Sequence, residues 1–138
     1  MLKQTILAII TIFIAWSALD FVIHGLLLAE TYQATAHLWR PEAEMNMPLL
    51  SLVTLVFASG FVCIYSCFIN AKSMTTAIKY GVVFGLATGV SMGFGSYSYM
   101  PIPLDLAMTW FIGTLVELSF AGVIIGLIIK PEPVESSL

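Results

Sequence analysis

Four stretches of this chain are long and apolar enough to cross a membrane, and this limits the fold before any motif is considered. A hydrocarbon core of about 30 Å takes about 20 helical residues. Span one runs roughly from Thr5 to Leu28 and span two from Pro48 to about Ile69. Span three runs from about Thr76 to Ser98 and span four from Pro103 to Ile129. The runs are continuous rather than alternating, which favours helices over a β-barrel. Composition points the same way. The 138 residues are 59% hydrophobic and 9% charged, where a soluble domain carries about 25% charged residues. So little polar surface cannot cover a globule in water. The expected fold is all-α, a four-helix transmembrane bundle forming one domain over residues 1–130. A polar cytoplasmic tail, residues 131–138, follows it. The partner this implies is the lipid bilayer.

Span one begins like a signal peptide, with Lys3, an apolar run and the trio Ala15-Trp16-Ser17. The apolar run continues to Leu28, too far for a signal h-region, so the expectation is a retained helix. The lysines set the orientation. Lys3, Lys72, Lys79 and Lys130 all fall on one side of a four-span topology. The other side has only Arg40, offset by Glu30, Glu42 and Glu44. The positive-inside rule then places both termini in the cytoplasm. Tyr97, Tyr99 and Trp110 are expected at the outer interface and Tyr80 at the inner one. The net charge of -3 and the lack of any basic run exclude nucleic acid as a partner. The two cysteines, Cys63 and Cys67, are one helical turn apart and read as small apolar packers rather than a disulfide framework.

The connections are unequal. "SYMPIP" makes a tight turn, with Pro103 suited to the first turn of span four and Asp105 to its positive end. The first outer linker, "AETYQATAHLWRPEAEMNM", is long. Tyr32, Ala36 and Trp39 share one helical face, and Gln33, His37 and Arg40 share another. This predicts a short interfacial helix on the outer leaflet, ended by Pro41.

Span three carries Gly81, Gly85, Gly89 and Gly93 at strict four-residue spacing, and Gly122 and Gly126 repeat the motif in span four. A glycine stripe lets another helix backbone approach closely, within the chain or between chains. It makes a homo-oligomer, or a subunit of a membrane complex, an expected state.

The chemistry is concentrated in "WSALDFVIHG", residues 16–25. Asp20 lies about 5 Å beyond the middle of its helix, with His24 one turn further out on the same face. Glu117 lies near the midpoint of span four, beside the small residues Gly113, Thr114 and Ala121. The depths of Asp20 and Glu117 differ by roughly 6 Å. An aspartate at a helix centre in the bilayer costs about 2.5–3.5 kcal/mol on the lower scale. Such groups are therefore expected to face one another. Four readings are open for Asp20, His24 and Glu117: a structural hydrogen-bond network, a proton or cation site, a metal site and a catalytic site. Asp20 is the expected partner of the Trp16 N–H. Arg40 is a further candidate, folding back over the bundle to pair with Asp20 or Glu44. His37 with Met45 and Met47 offers a weaker copper motif.

"ALDFVIHGLLL", "TAHLWRPEAEM" and "GLATGVSMGFGSY" resemble stretches of small bacterial four-helix membrane proteins of the domain-of-unknown-function type. The resemblance implies the fold and a bacterial inner-membrane location. It brings no activity, cofactor or catalytic residue. Three function classes remain: a proton-, cation- or metal-binding membrane protein, an accessory or scaffolding subunit, and an enzyme on a lipid or quinone-like substrate. The enzyme ranks last, since the sequence has no nucleophile motif, phosphate loop or haem-binding pattern. The orientation is directly testable. A reporter fused after Leu138 should be active only in a cytoplasmic-sensing form, and a periplasmic signal would reverse the topology.

Overall fold

The computed structural model describes residues 1–130, and those residues contain helices and no strand. The expected tail, 131–138, lies outside the described residues. Helix α1 (Leu2–Asp20) runs directly into a π-helical segment, Phe21–Leu27. A short α2 follows (Ala29–Ala34), then α3 (Met47–Phe68). Helix α4 (Met74–Val90) continues as a second π-helical segment, Ser91–Gly95, and α5 spans Leu104–Ile128. The four long helices cover 26, 22, 22 and 25 residues and are each apolar and long enough to cross a membrane. Their ends fall within about three residues of the sequence expectation.

Local chemistry sets those ends. The Asn46 side chain accepts the Leu49 N–H at 3.0 Å and caps α3, with Pro48 in the first turn. Ser73 does the same for α4 through the Thr76 N–H. At the far end of α3, Lys72 donates to the carbonyls of Tyr65 and Ile69. Lys130 donates to the Gly126 carbonyl at the end of α5. Cations suit these negative helix ends.

The closest packing joins α4 to α5. A Cβ placed on Gly81 would lie 2.4 Å from the Leu118 carbonyl oxygen, and one on Gly93 would lie 2.4 Å from that of Ala107. At Gly89 the Phe111 carbonyl would be 2.9 Å away, and at Gly85 the Leu115 Cα would be 3.2 Å away. Gly122 returns the contact from α5, where a Cβ would meet the Ala77 carbonyl at 2.7 Å. The two backbones touch, and the stripe is covered within the chain.

Helix α1 packs across α3 and α5. Its Ala8, Ile12 and Trp16 are buried together with Phe61, Val62 and Tyr65 of α3 and Leu118, Ala121 and Ile125 of α5. Phe61 links this core to α4, stacking on Tyr80 at 4.6 Å between ring centroids. Cys63 and Cys67 are exposed on α3, so they are not the core packers that their spacing suggested.

The linker between the first two long helices differs from expectation. It is not one amphipathic helix reaching Pro41. It comprises α2, a 3₁₀ turn at Ala36–Leu38 and another at Glu42–Glu44. Thr35 breaks the helix: its Oγ1 donates to the Thr31 carbonyl and accepts the Trp39 Nε1–H. That folds Trp39 back, and Leu28, Tyr32, Leu38 and Trp39 pack on Ile102, Leu106, Ala107 and Trp110. The linker is a cap on the end of α5.

The seam makes a paired prediction. Gly93→Ala should cost about 1–3 kcal/mol, as overpacking does. Gly60→Ala in α3 meets open space, and should be neutral or gain up to about 1 kcal/mol from helix propensity. Unfolding of both variants in mixed micelles measures the contrast. Equal stability of the two would show that the seam is not a close contact.

Candidate functional site

A cavity of about 110 Å³ lies between the C-terminal end of α1, with the π-helical segment after it, and the N-terminal half of α5. Asp20, Ile23 and His24 line it from one side, Trp110, Gly113, Thr114 and Glu117 from the other, and Met92 from the end of α4. The three ionisable residues picked out by depth and helical face thus border one space. Each owes its place to backbone features around it. Gly113 lets α1 come close, since a Cβ there would meet the Ile23 side chain at 3.2 Å. Trp16 fixes the register of α1 on α5 by donating its indole N–H to the backbone carbonyl of Glu117 at 2.9 Å. Asp20 is therefore not the partner of the Trp16 N–H. The indole reaches across to α5 rather than along its own helix.

Both π-helical segments border this cavity. Ile23 and His24 belong to one, and Met92 to the other. A π-turn widens the helix and redirects side chains, and such turns are frequent at functional sites. Nothing in the sequence marks these segments as π rather than α.

The polar geometry is asymmetric. The Asp20 and Glu117 side chains line the same cavity from facing helices. Glu117 Oε1 is buried and has no hydrogen-bond partner. Asp20 Oδ1 lies 3.8 Å from His24 Nε2, with both side chains 43% exposed on the flank. His24 Nδ1 lies 2.6 Å from Tyr32 Oη, and the two rings stack. Tyr32 Oη also accepts the Trp110 Nε1–H at 2.8 Å. Burial holds the Tyr32 phenol above its usual pKa; the Trp110 hydrogen bond opposes this and Asp20 adds to it. Tyr32 thus stays an O–H at neutral pH. Tyr32 and Trp110 were read from sequence only as face-forming or interfacial aromatics. The eight-residue separation of His24 and Tyr32 across the bend at Leu28 gave no helical-face signal.

The expected pairing of Arg40 is corrected. Arg40 does not reach Asp20 or Glu44. It is exposed and borders a separate groove with Met45, Asn46, Met47, Leu49, Leu50 and Val53. Among the described residues, the one approach of a basic nitrogen to a carboxylate within 4.0 Å is His24 to Asp20, an ion pair only when the imidazole is protonated. The metal reading of Asp20, His24 and Glu117 gains no support from the geometry. Among the described residues, no three His, Cys, Asp or Glu side chains are grouped to hold a metal ion. His24 turns its Nδ1 to Tyr32, and its Nε2 faces Asp20 alone. His37 sits on the cap and borders neither cavity nor groove.

No family model, curated protein or solved structure matches this chain. The geometry alone carries the functional argument.

Trp16 supplies a test of the docking. Trp16→Phe keeps an aromatic ring beside Phe57 and Phe61 but loses the bond to the Glu117 carbonyl. The loss should be about 0.6–1.7 kcal/mol, the range for interhelical hydrogen bonds in membranes. Unchanged unfolding would mean that α1 is held by packing alone.

Proposed function

We propose that this chain is a multi-pass membrane protein that binds a proton or a small cation at Asp20, His24 and Glu117. The observation that carries the reading is Glu117 Oε1, buried without a partner beside a cavity that a second carboxylate and an imidazole also line. Ionisable groups at membrane depth are costly and are kept for function by default. A purely structural network would satisfy its own acceptors. Here one acceptor is open, and it borders space enough for water or a small ion. Two carboxylates in one site can share a proton or hold a cation between them. The lysine asymmetry supports an orientation with both termini in the cytoplasm, and the resemblance to small bacterial four-helix membrane proteins implies the inner membrane.

The scaffolding alternative loses its main support, because α5 of the same chain covers the glycine stripe. An accessory or oligomeric role would need another face. The enzyme reading has no nucleophile or cofactor motif behind it.

The test is stability across pH 5 to 8 in detergent, with and without monovalent cations. The parent should show a pH- or cation-dependent melting temperature. Asp20→Asn and Glu117→Gln should remain folded and flatten that dependence, since the amides keep the shape and lose the titratable charge. A parent whose stability ignores pH and cations, matched by both variants, would end the proposal.

A further inference from the structure

The cavity has two ends of different character. Toward the middle of the bundle the next layer is Trp16, Phe61, Leu118 and Ala121, all buried. The one polar side-chain atom in that layer, Trp16 Nε1, is already bonded to the Glu117 carbonyl. Toward the cap, the polar groups continue without a break: Asp20, His24 and Tyr32, with Trp110 holding Tyr32 from the side.

The direction of the hydrogen bonds follows from donor counting. Indole is a donor only, so Trp110 occupies a lone pair of Tyr32 Oη and leaves the phenolic proton free. Among the described residues, His24 Nδ1 is the acceptor within reach of that proton. A neutral imidazole that accepts at Nδ1 carries its own proton on Nε2. His24 Nε2 is the nitrogen that faces Asp20. The ionisable groups around His24 are Asp20 on its own helix, Tyr32 on the cap and Glu117 on α5. The end of α4 contributes only Met92.

We infer that Tyr32 is the positioning residue of this cavity, holding neutral His24 with its Nε2–H toward Asp20 and linking the cavity to the cap side alone. A proton reaching His24 from the cap is passed by Tyr32: the phenol gives its proton to Nδ1 and takes another from the aqueous side, while Nε2 releases its proton toward Asp20. Charge balances at each transfer, and no other co-reactant is needed. Returning the imidazole to its starting tautomer completes the cycle. Among the described residues, no equivalent hydrogen-bonded chain leads from the cavity to the opposite face. This deepens the proton-or-cation reading and rests on it for the transfer, while the tautomer assignment stands independently.

Two measurements separate the parts. The first is nitrogen-15 NMR of histidine-labelled protein in detergent at a pH where His24 is neutral, with the signal assigned by its absence in His24→Gln. The parent should show the Nε2–H tautomer. Tyr32→Phe keeps the ring against Trp39 and should release His24 into a mixture of tautomers. An Nδ1–H form in the parent, or an unchanged tautomer in Tyr32→Phe, would overturn the assignment. The parent spectrum needs no variant, so misfolding of Tyr32→Phe cannot rescue the idea. The second is a pH jump on proteoliposomes sorted by orientation, read by tryptophan fluorescence, since Trp110 borders the cavity. The response should follow a jump on the cap side and be at least tenfold slower for the opposite side. Equal rates from both sides would overturn the one-sided access. Silence from both sides would overturn the proton site itself and leave the NMR result standing.

Discussion

Two helix backbones can touch only where no side chain stands between them, and the α4–α5 pair is built on that condition. Hydrophobicity cannot drive helices together in a bilayer, because lipid tails are as apolar as leucine. Close backbone contact supplies dispersion and weak polar attraction instead. Gly81, Gly85, Gly89 and Gly93 meet α5 along most of its length, and Gly122 and Gly126 answer from the other side. The pair forms a closely packed slab. The rest of the bundle is arranged against it.

Helix α1 lies on that slab at one defined point. The Trp16 N–H reaches the Glu117 carbonyl, and aromatic side chains of α3 surround the indole. Above this point α1 winds as a π-helix and stands off from α5, except where Gly113 admits Ile23. The gap left between them is the cavity. Its polar lining is thus a consequence of register: one hydrogen bond sets Asp20 and His24 opposite Glu117. The cap then closes the end of the cavity beside it, with Tyr32 joined to both His24 and Trp110.

Much of this was legible in the sequence, and the reasons are physical. Span length follows bilayer thickness, so all four helices are found within a few residues. The glycine spacing announces a close backbone contact, although not whether the partner is α5 or another chain. Depth arithmetic brings Asp20, His24 and Glu117 to one level, because rise per residue is constant in a helix. Features that depend on tertiary register were not legible. The Trp16 N–H had a plausible partner on its own helix and took one on another. Thr35 broke an amphipathic pattern by bonding backbone and Trp39 together, which turned a predicted surface helix into a cap. Arg40 was drawn toward the carboxylates by charge alone, and the cap carries it elsewhere. The π-helical segments leave no compositional trace.

The central claim is that Asp20 and Glu117 act as one site rather than as two separate acids. Carbon-13 labelling of glutamate, with the Glu117 carboxyl assigned by its loss in Glu117→Gln, reads that coupling directly. A shared site predicts that the Glu117 titration changes its midpoint when Asp20 is replaced by asparagine. An identical Glu117 titration in the parent and in Asp20→Asn, with both proteins folded, would contradict it.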